Sequence, residues 1–317
     1  MKTSNAAEES VEFDHVSFWI GLALAVSSSV FIGASFVIKK LALRRLAASG
    51  GVRAAAGGYS YLRQGLWWLG FLTMGAGEAA NLLAYGFAPA ALVTPLGALS
   101  VLVAAVLAAR VLGERPASPA ACLLCALGAA VLVLHAPHAG PPEPFAELLG
   151  RLLAPPGLAA LGGALLLAGG ARAAERRWAR RHVAVYLLLC AALGAITVQL
   201  CRAAAVGARQ ALAGDGAVLA APGWWLLVLA AAGCVAVQMT YLNRSLDLFG
   251  ASLVTPVYYV LFTALAVLGS AVMFEEWRAL SGRDAAGAAC GFAVSAVAVF
   301  MLSAEPEGAR LADHRDA

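Results

Sequence analysis

The chain reads as an all-α polytopic membrane protein, and three observations lead there. Of its 317 residues 62% are apolar and only 13% charged, and mean hydropathy is +0.81. Apolar stretches of about 20 residues recur along nearly the whole length, each long enough at ~1.5 Å per residue to cross a ~30 Å hydrocarbon layer. Lys and Arg gather in particular loops instead of spreading along the chain.

Nine spans are expected, over residues 17–38, 66–87, 91–112, 117–136, 155–171, 183–206, 223–246, 251–274 and 285–303. Residues 1–16 form a polar tail whose Glu8, Glu9, Glu12 and Asp14 have the wrong charge for a cleavable signal peptide, so span one is expected to be an uncleaved anchor. The loop after it holds Lys39, Lys40, Arg44, Arg45, Arg53 and Arg63. Spans two to four follow with little charge between them. Span five, the shortest, precedes Arg172, Arg176, Arg177, Arg180 and Arg181. Placing the basic loops in the cytosol puts the amino terminus outside and the tail 304–317 inside.

Two segments repeat. Leu92-Val93-Thr94-Pro95 returns as Leu253-Val254-Thr255-Pro256. Asn81 stands six residues before Phe87, and Asn243 six before Phe249. Glu114 follows Thr94 by twenty residues, as Glu275 follows Thr255. One transmembrane domain, 17–303, is therefore expected to hold two repeats, 17–136 and 183–303 (spans one to four and six to nine), with span 155–171 between them. The offset of five spans is odd, so the second four-helix repeat is inverted, the arrangement that supports alternating access. Trp67-Trp68 opens span two at one interface and Trp224-Trp225 opens span seven at the other. Ser27-Ser28-Ser29 with Gly33, and Gly194 with Thr197, give spans one and six small packing faces.

Glu78 is the only carboxylate deep within a span. A charge there costs about 2.5 to 3.5 kcal/mol on insertion scales and calls for a wet cavity, a partner or a proton. The alternative is a protonated Glu78 that hydrogen-bonds a neighbouring helix. Asn81 lies on the same helical face, and Tyr85 continues it. The matching face of span seven reads Gln238, Thr240, Tyr241 and Asn243, neutral groups that serve either a site or interhelical packing. Pro95 and Pro256 release the carbonyls of Ala91 and Ser252. With the hydroxyls of Thr94 and Thr255 these are hard oxygen ligands, suited to a divalent cation such as magnesium with several waters attached. The same prolines also serve as packing kinks. Candidate pathway residues are thus Glu78, Asn81, Thr94, Pro95, Gln238, Asn243, Thr255 and Pro256, with Glu78 the candidate metal ligand.

Glu114 and the Glu275-Glu276 pair read as solvated charges at helix ends more readily than as cation-gathering mouths. Arg244 and Asp247 are close enough along one helix to pair. Cys122 and Cys125, with no second pair and no His nearby, read as small buried hydrophobes, and no disulfide framework is implied by the six cysteines. Walker, zinc-protease and nucleophile-elbow motifs are absent, so no enzyme, no ATP hydrolysis, no cofactor and no nucleic-acid partner are expected.

The runs Trp67-Trp68-Leu69-Gly70, Met74 to Asn81, Phe87-Ala88-Pro89 and Leu92 to Val101 closely resemble the NIPA family of magnesium transporters. Ser27 to Ser29, Tyr241 to Asp247, Thr255 to Val260 and Phe274 to Trp277 match as well, so the resemblance covers residues 18 to 303 in order. It implies a fold related to the drug/metabolite transporter superfamily and Mg2+ uptake across the plasma membrane, with an endosomal pool. It hands over no coordination site. The Ala- and Gly-rich stretch 116–181 departs from the family pattern outside the motifs. Two other readings stay open: a carrier of a small organic metabolite or lipid, lined by Tyr85, Tyr241, Tyr258, Tyr259 and Phe262, and a trafficking adaptor that moves nothing.

Overall fold

The structure, a computed structural model, describes residues 2–87, 96–97, 99–114, 118–135, 144–178, 182–273 and 281–304. Every regular element among them is helical. Eleven α-helices run in order: α1 (Lys2–Ala48), α2 (Gly65–Phe87), α3 (Leu99–Leu112), α4 (Pro119–Leu134), α5 (Phe145–Leu153), α6 (Pro155–Trp178), α7 (Val183–Leu212), α8 (Ala217–Ala220), α9 (Pro222–Leu248), α10 (Ala251–Met273) and α11 (Gly282–Ala304). Short 3₁₀ turns at Ala54–Ala56 and Ser60–Arg63 join α1 to α2.

Among the described residues six helices are long and apolar enough to cross a membrane: Trp19–Ala48 within α1, Pro155–Glu175 within α6, α7, α9, α10 and Gly282–Met301 within α11. The apolar α3 and α4 are shorter. The 23-residue α2 carries Glu78 and Asn81, which dilute its hydropathy. The expected stretches fall on these helices where they are described; of 91–112 the structure describes residues 96–97 and 99–112, and α3 covers Leu99–Leu112. Two differences stand out. Helix α1 continues ten residues beyond the expected end at 38, because Ala42, Leu43 and Leu46 keep the helical apolar period and stay buried. The loop after α4 contains α5, whose Phe145, Leu148 and Leu152 bury one face at i, i+3 and i+7.

Packing runs in a matched pattern. Helix α1 packs along α2 and α3, while α7 packs along α9 and α10. Helix α3 lies against α10, and α4 lies extensively against α11. Glycines make these approaches possible. A Cβ on Gly33 would sit 2.6 Å from the Ser100 carbonyl of α3, and one on Gly194 would sit 2.9 Å from the Phe262 ring of α10. At the α4–α11 crossing, a Cβ on Gly128 would meet the Ser295 nitrogen at 2.7 Å, and one on Gly291 the Gly128 carbonyl at 2.8 Å. Small residues are what let membrane helices come this close.

The tryptophan pairs repeat in three dimensions. Trp67 and Trp68 meet edge to face at 5.1 Å, and Trp224 and Trp225 at 4.8 Å. Trp68 donates to the carbonyl of Leu62 at 2.8 Å, and Trp225 to that of Leu219 at 2.9 Å, each six residues back.

Candidate functional site

Helix α2 meets α1 through Gly70, Gly77 and Ala84, where a Cβ on Gly77 would lie 2.7 Å from Ile32. Glu78 therefore stands at the edge of that contact, one turn from both Met74 and Asn81. Its side chain is exposed while Asn81 is half-buried. Helices α2 and α10 do not pack extensively on each other.

Gln238 of α9 donates its amide to the Tyr258 hydroxyl at 2.8 Å, and its own Oε1 is buried without a hydrogen-bond partner. Tyr258 is buried, stacked on Phe262 at 5.6 Å and tilted on Phe36 at 6.0 Å. Helix α2 thus offers one carboxylate, Glu78, and α9 with α10 a buried neutral pair, Gln238 and Tyr258. Among the described residues no three His, Cys, Asp or Glu side chains converge. A cation here would rest on one carboxylate, neutral oxygens and its own water.

The other expected residues that the structure describes are buried within the bundle. Asn243 is fully buried and its Oδ1 accepts the Trp67 indole N–H at 3.1 Å. Thr255 returns its hydroxyl to the Ala251 carbonyl at 2.9 Å, and Pro256 is buried inside α10. Thr94, Pro95, Glu275 and Glu276 lie outside the described residues, as does the side chain of Tyr85.

The end of the bundle that carries the basic loops holds an ion-pair network the sequence did not announce. Glu114, expected as a solvated charge, is only 6% exposed. It pairs with Lys40 and with Arg44, each at 3.2 Å, and accepts from the Ser252 backbone at 3.3 Å. Lys40 also donates to the carbonyls of Leu246 and Phe249, and Arg44 to that of Leu112. Arg244 and Asp247 do not pair with each other. Arg53 grips Asp247 at 3.0 Å, and Arg244 reaches Glu175 of α6 at 2.9 Å. The continuing apolar period after Phe36, which sets Lys39 and Lys40 on the buried face of α1, is the sequence signal that would have found part of this network.

A separate cavity of about 340 Å³ lies between α6, α7 and α10, lined by Ala160, Ala164, Ile196, Gln199, Leu265 and Gly269, with no carboxylate. Cys122 and Cys125 are buried free thiols.

Long apolar helices of this length define an integral membrane protein. The family model for the magnesium transporter NIPA matches residues 16–307. The chain is 40% identical over 286 residues to the "Probable magnesium transporter NIPA1" of Arabidopsis thaliana, covering 89% of this chain and 84% of that protein. It is 43% identical over 279 residues to NIPA6 of the same plant, named likewise as a probable magnesium transporter (86% and 83% covered). With the "Magnesium transporter NIPA3" of Homo sapiens it shares 40% identity over 292 residues (91% and 71% covered). No solved structure matches the chain. The chain belongs to the NIPA magnesium transporter family.

Proposed function

We propose that the protein carries Mg2+ across the membrane through a site between α2, α9 and α10, with Glu78 as its anionic ligand. The observations that support this reading are the lone intramembrane carboxylate of Glu78 and the buried Gln238–Tyr258 pair with its unpartnered amide oxygen. One carboxylate with neutral oxygens suits an ion that keeps part of its hydration shell. Asn81 and, from the second half, Thr255 with Pro256 border this route. The membrane potential is worth about 2.3 kcal/mol per charge per 100 mV, hence about twice that for a divalent ion, so no cofactor and no ATP are needed to drive uptake.

The proposed architecture is nine spans in one transmembrane domain, two inverted four-helix repeats around span 155–171, in the manner of the drug/metabolite transporters. Supporting it are the matched packing of α1 with α2 and α3 and of α7 with α9 and α10, and the twin tryptophan pairs. The basic loops put the carboxyl terminus in the cytosol and the amino terminus outside, in a protein of the plasma membrane and early endosome. On this reading the Lys40–Glu114–Arg44 network closes the cytosolic mouth.

The test is Mg2+ flux into proteoliposomes holding the purified chain at set potential, with a Glu78→Gln control. Saturable, voltage-dependent flux lost in the variant is expected. Full flux in Glu78→Gln removes Glu78 from the mechanism. Transport of organic solutes without Mg2+ flux favours the second reading, an organic cargo stacked on Phe36, Tyr258 and Phe262.

A further inference from the structure

Lys39 is fully buried, and among the described residues no carboxylate lies within ion-pair distance of it. Its Nζ contacts the thioether of Met74 at 3.2 Å and stands 5.0 Å from the centre of the Phe36 ring. Gly70 admits its stem, since a Cβ there would lie 2.8 Å from the Lys39 Cγ. A thioether and a ring face attract an ammonium far less strongly than its desolvation opposes burial. Glu114, Asp247 and Glu175 already hold Lys40, Arg44, Arg53, Arg172 and Arg244. The carboxylate left without an ion pair on the neighbouring helix is Glu78, four residues after Met74 and so on the next turn of the same face. Phe36, under the ammonium, also touches Tyr258. Ionisable groups inside a membrane protein pair with one another or mark an ion path, and Glu78 stands one turn from the Met74 that Lys39 touches.

We propose that Lys39 is the internal counter-cation of the transport site: with the site empty its ammonium leaves Met74 and Phe36 to neutralise Glu78, and an arriving Mg2+ displaces it. This rests on the transport reading above. An empty site bearing a bare carboxylate returns across the membrane slowly, whereas a site neutralised by Lys39 returns readily. Lys39 is a positioning residue for the return step, not a ligand.

The experiment compares wild type, Lys39→Met and Lys39→Arg in proteoliposomes, measuring net Mg2+ uptake and isotopic Mg2+-for-Mg2+ exchange in parallel. Exchange never requires the empty site to cross. Lys39→Met is expected to lower net uptake about ten-fold or more while exchange stays near the wild-type rate, and Lys39→Arg to retain part of the net uptake. Unchanged net uptake in Lys39→Met, or exchange falling in step with it, overturns the assignment. Met74→Leu keeps the charge and removes its resting contact, so it guards against a Lys39→Met variant that does not fold. The KM for Mg2+ is expected to rise several-fold with kcat kept, and an unchanged KM overturns the proposal. A wild type that neither takes up nor exchanges Mg2+ overturns the transport reading itself, an outcome distinct from wild-type traffic that Lys39→Met leaves untouched.

Discussion

Trp67 of α2 donates its indole N–H to the side-chain oxygen of Asn243 in α9 across 3.1 Å, with both residues buried. The bond ties together positions 176 residues apart. Asn243→Ala leaves the buried donor unpaired, so a loss of about 1–3 kcal/mol is expected. Thermal unfolding of the purified protein in detergent measures it, and an unchanged Tm shows the bond to be idle.

Glu114→Gln removes the charge that holds Lys40 and Arg44 while leaving the ammonium buried. Breaking a buried pair from one side costs about 3–5 kcal/mol, whereas replacing both partners with apolar groups recovers much of it. The double variant Lys40→Met with Glu114→Leu is therefore expected to melt above Glu114→Gln alone. A double-mutant cycle in thermal unfolding decides between them.

Gly291→Ala drives a methyl group to within 2.8 Å of the Gly128 carbonyl and against the backbone of Leu132. Overpacking of this kind costs about 1–3 kcal/mol. Gly162→Ala meets open space and serves as the control. Folded yield and Tm should fall for the first and hold for the second.

Gln238→Leu keeps the volume but leaves the Tyr258 hydroxyl without its amide donor and removes the buried, unpartnered Oε1. A raised KM for Mg2+, by roughly 3- to 10-fold for about 1 kcal/mol of lost binding, is expected with kcat little changed. Radiotracer or dye-reported uptake at matched surface expression reads the split.

The helices were legible from the sequence because hydropathy is a local property and nearly every span writes it plainly. Glu78 was legible too, as a lone carboxylate where charge is expensive. The Glu114 network was not, because Lys40 and Arg44 stand about seventy residues away in sequence and nothing local says that Glu114 is buried. Spacing misled for Arg244 and Asp247: a three-residue step states that two side chains are in reach, not that each lacks a better partner. Arg53 and Glu175, brought in by the fold, are those partners. Lys39 and Lys40 read as topology markers because a charge count ignores direction, while the structure turns both inward.

The unbroken apolar part of α1, Trp19–Ala48, is 30 residues long, about 45 Å of continuous rod. Along it sit Ser28 and Ile32 against Gly77, Phe36 against Tyr258, Lys39 against Met74, and Lys40 and Arg44 against Glu114. A stiff beam cannot tilt at one end and keep its other end still. On the transport reading, whatever loosens the Lys40–Glu114–Arg44 end also shifts the wall beside Glu78, so occupancy and closure share one mechanical linkage. A single residue inserted after Ser35 would turn everything beyond it by about 100°, Phe36 and Lys39 included, and so break that linkage.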